Sequence, residues 1–206
     1  MKLGIISGSH RPDSQSAKVG RHIKRTLEER ALCDDVWFLD LGNEPLPLWE
    51  EGVWDPQDAR WQAILDPLRQ ALHGCDAFIM IAPEWHGMVP AALKNFLLFW
   101  TSGGELAHKP ALIVTVSGSI GGSYPVAELR MSGYKNNRVC FIPEHLIVRN
   151  VNGVFNADEK DNDLDPHTYH HDRLVYCLEL LREYALALNQ VRASGKTTLE
   201  AYPSGM

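Results

Sequence analysis

Residues 77–100 read AFIMIAPEWHGMVPAALKNFLLFW and hold a complete strand–turn–helix unit. Residues 77–82 are a nearly continuous apolar run of strand length, the pattern of a parallel strand covered on both faces. Leu93, Phe96, Leu97 and Trp100 then recur at i, i+3, i+4 and i+7, the spacing of one helix face, and Pro90 suits a first helical turn. Outward from this unit, four further runs of strand length stand at 2–7 (KLGIIS), 35–39 (DVWFL), 111–116 (ALIVTV) and 145–151 (HLIVRNV). Val19, Ile23 and Leu27 mark a helix after the first run. Leu174, Cys177, Leu178, Leu181, Ala185 and Leu188 mark a last one. Strands alternating with helices imply right-handed crossovers and an open, doubly wound parallel sheet of the α/β class.

Composition narrows the function. Lys plus Arg is 20 and Asp plus Glu is 26 among 206 residues, a net charge of −6. A nucleic-acid surface should be basic, so that partner loses support. The chain is 45% apolar and 22% charged, ordinary values for a domain that buries a core. No apolar run approaches the roughly 18 residues of a spanning helix, and GIIS near the start is too short for a secretory signal. Cys33, Cys75, Cys140 and Cys177 are scattered without a CxxC pair, which weakens zinc, redox-dithiol and disulfide readings and makes a reducing cytoplasm the simplest setting. With no repeat or internal linker, residues 1–190 read as one domain and 191–206 as a frayed polar tail. Residues 40–56 form a long loop with three prolines and two tryptophans, a length that suggests a binding or interface role.

Ligands of open parallel sheets bind at the carboxyl ends of the strands, so the loops after strands 1, 3 and 4 matter most. After strand 1 comes Ser7-Gly8-Ser9-His10-Arg11-Pro12-Asp13-Ser14-Gln15-Ser16, then a helix. Hydroxyls on Ser9, Ser14 and Ser16, free N–H groups at the helix start and the Arg11 cation suit a phosphate dianion. By itself the string reads equally as a Ser/Asp-rich cap. It matches neither the triphosphatase nor the dinucleotide fingerprint. After strand 3, Pro83-Glu84-Trp85-His86-Gly87 offers a turn able to lie flat against a planar ligand, although Glu84 and His86 are each ordinary loop residues in isolation. After strand 4, Ser117-Gly118-Ser119-Ile120-Gly121-Gly122 lets the backbone approach a ligand closely.

Together these strings resemble the NADPH-dependent FMN reductase family of flavodoxin-like quinone, azo-dye and chromate reductases. GSHRPDSQS matches the family's GSxRxxS phosphate loop, PEWHGMVPAALKNFLLFW its PEYN…LKN…DW segment, and SGSIGG the Gly-rich turn after the fourth strand, over roughly residues 1–150. The resemblance implies a three-layer fold whose five-stranded sheet has the order 2-1-3-4-5. It implies FMN, with its phosphate on Ser9, Arg11, Ser14 and Ser16. Pro83, Glu84, Trp85, His86 and Gly87 would line the isoalloxazine, joined by Ser117, Gly121 and Gly122. A flavin carries its own chemistry, so no catalytic side chain is expected. Hydride would pass from NAD(P)H to the flavin and on to a small acceptor, such as a quinone, azo compound, free flavin or metal oxyanion. A homodimer or homotetramer is implied too, pairing around Leu93–Trp100, with Trp49, Trp54 and Trp61 crowding one loop region.

The chain departs from the family's motif in four places. Trp85 replaces Tyr, His86 replaces Asn, Phe99 replaces the Asp before the closing Trp, and Ser16 stands where many members have Asn. An imidazole can gain a proton near pH 6.5, so His86 is expected either to make flavin reduction pH-dependent or merely to shape its turn. Three rival readings stand beside this one. A flavodoxin-like electron carrier would hold FMN without nicotinamide turnover. A serine hydrolase would use Ser119 with Asp165 and His167, on a near match to GxSxG. A calcium loop would use Asp161, Asp163, Asp165 and Asp172, but Pro166 sits where the turn needs Gly. His167, His170 and His171 are expected to face water, and Asp165 to cap the last helix ahead of Pro166.

Overall fold

The computed structural model describes residues 1–205. Strands β1 (Lys2–Ser7), β2 (Asp35–Asp40), β3 (Ala77–Pro83), β4 (Pro110–Val116) and β5 (Cys140–Val148) form one parallel sheet in the order β2-β1-β3-β4-β5. The connections carry α1 (Gln15–Glu29), α2 (Ala59–Gly74), α3 (Ala91–Phe99) and α4 (Ser123–Ser132), and α5 (Leu164–Ala193) follows β5. This is the doubly wound flavodoxin-like architecture.

Side chains alternate across the central strands into two cores. Ile79, Ile81, Leu112 and Val114 meet Val19, Ile23 and Leu27 of α1 and Leu174, Leu178 and Leu181 of α5. Phe78, Met80, Ala111 and Ile113 meet Trp61 and Leu65 of α2, Leu93 and Phe96 of α3, and Leu129 of α4. Covered on both faces, every residue of β3 and β4 is buried. Each large apolar side chain so enclosed contributes about 1.5–3 kcal/mol. Trp61 belongs to this second core, packed against Phe99, so it is not available to a partner.

Two boundaries differ from the sequence reading. β5 begins at Cys140 rather than 145 and ends at Val148 rather than 151. It runs through Pro143 because Ala111 pairs with Phe141 while Ile113 pairs with His145, a bulge that needs no N–H from the proline. The Arg130 guanidinium donates to the carbonyls of Ile142, Pro143 and Glu144 along this sheet edge. Secondly, α5 starts at Leu164 with Asp163, not Asp165, in the N-cap position, and Pro166 lies in the first turn. Two helices also lack clean apolar spacing: α2 runs through Pro67, and α4 exposes Tyr124 and Met131.

Past α5, the carbonyls of Tyr202, Pro203 and Gly205 accept hydrogen bonds from Arg138 and Lys135. Among the described residues no helix is long and apolar enough to cross a membrane.

Candidate functional site

A cleft of about 410 Å³ opens at the carboxyl ends of β1, β3 and β4. The structure brings Ser9, Arg11, Ser14 and Ser16 from the first loop to it, facing Pro83, Glu84 and Trp85 from the third-strand loop. Gln15, Val116, Gly118, Val151 and Asn152 complete the lining. Sequence reasoning missed these five. Gly118 lay inside a quoted motif, whereas Val151 was absorbed into an over-long fifth strand.

The first loop is built around the start of α1. Ser14 is its N-cap, its Oγ accepting from the Ala17 N–H at 3.0 Å. That leaves the N–H groups of Gln15 and Ser16, the first two helical residues, without an intrahelical acceptor and at the positive end of the helix dipole. The Ser9 Oγ accepts from the Arg11 N–H at 3.2 Å and keeps its own proton to donate. Ser16 is 1% exposed and its Oγ finds no partner in the protein. Arg11 stands exposed at the lip. Gly42, just past β2, packs on this loop so closely that a Cβ there would lie 2.3 Å from the Arg11 carbonyl oxygen.

The third-strand loop is a tight hairpin. The Trp85 N–H donates to the Met88 carbonyl at 3.2 Å, and the Met88 N–H returns to the Trp85 carbonyl at 2.9 Å. Between them His86 has φ 50° and Gly87 φ 78°, both left-handed, as a type I′ turn requires. His86 is exposed at the tip. The Trp85 ring stands edge-on to His10 with centroids 4.3 Å apart.

Behind the cleft, the Glu84 Oε2 accepts from the Gly122 N–H at 2.6 Å and ties the third-strand loop to the fourth. The Thr115 hydroxyl donates to the Gly122 carbonyl at 2.7 Å, and the Ser117 Oγ accepts from the Ser119 N–H at 3.2 Å. His86, Gly87, Ser117, Gly121 and Gly122 are not among the residues lining this cleft; Ser117 and Gly122 brace the fourth-strand loop, and His86 and Gly87 form the hairpin turn.

The rival constellations fall elsewhere. The His167 Nδ1 accepts from the Phe155 N–H at 3.1 Å, so it does not serve the Ser119 hydroxyl. His167 and His171 pack edge-on against buried His22, itself stacked on Phe155 at 4.1 Å, and His170 is 8% exposed. His22 and His170 are buried, while His167 and His171 are half-buried at the edge of the cluster. Among the described residues no three His, Cys, Asp or Glu side chains assemble as a metal site.

Residues 1–153 match the family model for NADPH-dependent FMN reductase. The chain belongs to this family. Among curated relatives, it is 29% identical over 120 residues to the NADPH azoreductase of Bacillus sp. (strain OY1-2), covering 57% of this chain and 60% of that protein, so the match falls short of two thirds of the relative's length. It is 26% identical over 204 residues to the probable NADPH:quinone oxidoreductase 2 of Oryza sativa subsp. japonica, covering 95% and 94%. Among solved structures, FerB, a flavoenzyme NAD(P)H:(acceptor) oxidoreductase from Paracoccus denitrificans, superposes with a TM-score of 0.70 at 19% identity over 90% of this chain and 97% of that one. Within this FMN reductase family member, the exchange of the motif's Asn for His86 has a backbone rationale. Asn and His are both enriched at positive φ, and position 86 demands it.

Proposed function

We propose that the chain binds FMN in the cleft at the ends of β1, β3 and β4 and passes electrons from NAD(P)H to a small acceptor of the quinone, azo, free-flavin or metal-oxyanion class. The observation that carries this reading is the Ser16 hydroxyl, buried and unpartnered in a cleft that also holds Arg11 and the uncapped N–H groups of α1. Leaving such a group unpaired costs about 1–3 kcal/mol, and a phosphate oxygen would remove that cost.

Bound FMN supplies the hydride and electron chemistry. The chain's own residues bind and orient. Ser9 and Ser16 hydroxyls, the Gln15 and Ser16 N–H groups and the Arg11 guanidinium would take the phosphate, while Ser14 holds the helix start in shape. Trp85 and Pro83 offer an apolar wall fixed by the hairpin and by the Glu84 brace. His86, Gly87, Ser117, Gly121 and Gly122 shape the turns beside the ring. A single phosphate cradle without a pyrophosphate fingerprint supports FMN rather than FAD.

The proposal extends to a homodimer or homotetramer, supported by exposed Met88, Leu98, Met131 and Tyr134 around α3 and α4. A reducing cytoplasm suits the four scattered cysteines, and residues 1–190 would act as one FMN-binding domain. The test is the absorption spectrum of the purified protein, chromatography of its acid-released flavin, and steady-state rates over quinones, azo dyes and free flavins. FAD in the released fraction, or no flavin uptake at all, would refute the proposal. Sedimentation as a 23.1 kDa monomer at micromolar concentration would end the oligomer part.

A further inference from the structure

The Lys18 ammonium leaves α1 and donates to three neutral oxygens: the carbonyls of Val151 at 2.6 Å and Val154 at 2.9 Å, and the Asn156 Oδ1 at 2.7 Å. All three of its donors are used. No carboxylate pairs with it among the described residues, and burial of the lone charge pushes its pKa down to about 8. A half-buried cation held only by neutral groups is a costly way to join a helix to a loop. What it joins is informative. Val151 and Asn152 line the cleft together with Ser14 and Ser16 at the start of the same helix, and the Val151 N–H also donates to the Ser117 carbonyl at 3.1 Å. Asn156 in turn donates to the Asn152 carbonyl at 2.8 Å, so the clamp grips a residue bonded to the lining.

We infer that Lys18 is a positioning residue of the flavin site, clamping the Val151–Asn156 segment to α1 and so fixing that part of the cleft's lining. The inference rests on the FMN-binding reading and adds to it a residue outside the cleft's lining. It also carries a pH signature. Above about pH 8 the neutral amine keeps only two donors, one oxygen loses its bond, and the wall loosens. Other charged or titratable groups on these elements include His22 and Arg25 on α1, Asp158, Glu159, Lys160, Asp161 and Asp163 ahead of α5, and Asp165, His167, His170 and His171 on α5, and none of them hydrogen-bonds the Lys18 ammonium.

The test titrates FMN and riboflavin by fluorescence into wild type, Lys18→Met and Asn156→Ala, from about pH 6.5 to about pH 9. Lys18→Met keeps the stem and removes the donors. It is expected to weaken both flavins by about tenfold or more, since a wall rather than a phosphate ligand is lost. It should also abolish the fall in affinity that wild type shows above about pH 8. Asn156→Ala, which removes one anchor, should give a smaller loss of the same kind. Wild-type affinity in Lys18→Met overturns the inference, and so does a loss confined to FMN, which would make Lys18 a charge partner of the phosphate. If Lys18→Met does not fold, unchanged flavin affinity in Asn156→Ala overturns it instead. Wild type that binds neither flavin would refute the FMN reading itself, a result distinct from all of these.

Discussion

Position 86 allows backbone strain to be separated from chemistry. His86 is exposed and holds φ at 50°, so substitution there removes no burial and acts through the left-handed conformation. For an ordinary L-residue that conformation costs about 1–2 kcal/mol, and a β-branched side chain tolerates it least. His86→Val should therefore destabilise the fold by about 1–2 kcal/mol, which for a chain of this size lowers Tm by roughly 2–8 °C. His86→Asn should lie within about 0.5 kcal/mol of wild type, because Asn is at home at positive φ. Gly87→Ala is a second probe. A Cβ there meets nothing nearer than the Tyr124 ring at 3.6 Å, an ordinary contact, so its cost of about 1 kcal/mol would be conformational alone. Thermal and urea denaturation of the three variants give the energies. Stopped-flow reduction by NAD(P)H gives the functional arm: at the tip of the turn, His86 should act as a turn residue, and the pH profiles of wild type and His86→Asn should superimpose. A His86→Val protein as stable as wild type would refute the strain argument. A pH dependence that disappears in His86→Asn would refute the turn-only role.

Other consequences are equally direct. Arg11→Ala should weaken FMN by about 1.5–3 kcal/mol, towards the lower end because Arg11 is exposed, and leave riboflavin affinity unchanged; equal losses for both flavins would remove it from the phosphate site. Gly42→Ala should displace the phosphate loop, since its Cβ would meet the Arg11 carbonyl at 2.3 Å, and a flavin titration indistinguishable from wild type would contradict that. Burial pulls the His22 pKa down to about 3, so between the ordinary value of about 6.5 and that pH the unfolded chain binds the extra proton. Stability should fall as pH drops through this window and owe nothing to His22 above it. His22→Phe, which keeps an aromatic ring on Phe155, should flatten that decline in urea midpoints, and an unchanged slope would sink the assignment.

Much of the site was legible because its parts are contiguous in the chain. Ser9, Arg11, Ser14 and Ser16 fall within eight residues, at a strand-to-helix junction whose free N–H groups are a local property of any helix start. Trp85 and Glu84 likewise follow directly from β3. The local string does not disclose which polar groups the fold has already used. The Gly122 N–H, for one, is taken by Glu84, 38 residues away. Ser14 both lines the cleft and, through its Oγ, accepts from the Ala17 N–H, so it caps α1 and keeps its own proton to donate.

The same division holds for the whole molecule. The sequence by itself determined the layer architecture, because strands buried on both faces are written as near-continuous apolar runs and α1, α3 and α5 carry periodic apolar faces, although α2 and α4 do not. It also grouped Ser9, Arg11, Ser14 and Ser16 at one strand-to-helix junction. Only the tertiary structure decided the path of β5 through Pro143, where a bulge against β4 and the Arg130 guanidinium make a proline tolerable in an edge strand. Only the tertiary structure brought Val151 and Asn152 into the cleft's lining, since Val151 is held by the Lys18 ammonium, 133 residues earlier, and by the Ser117 carbonyl after β4. Patterns of period 2 and 3.6 report which face of an element is buried. They carry no information about which distant donor an exposed carbonyl will meet, and that is settled when the layers pack.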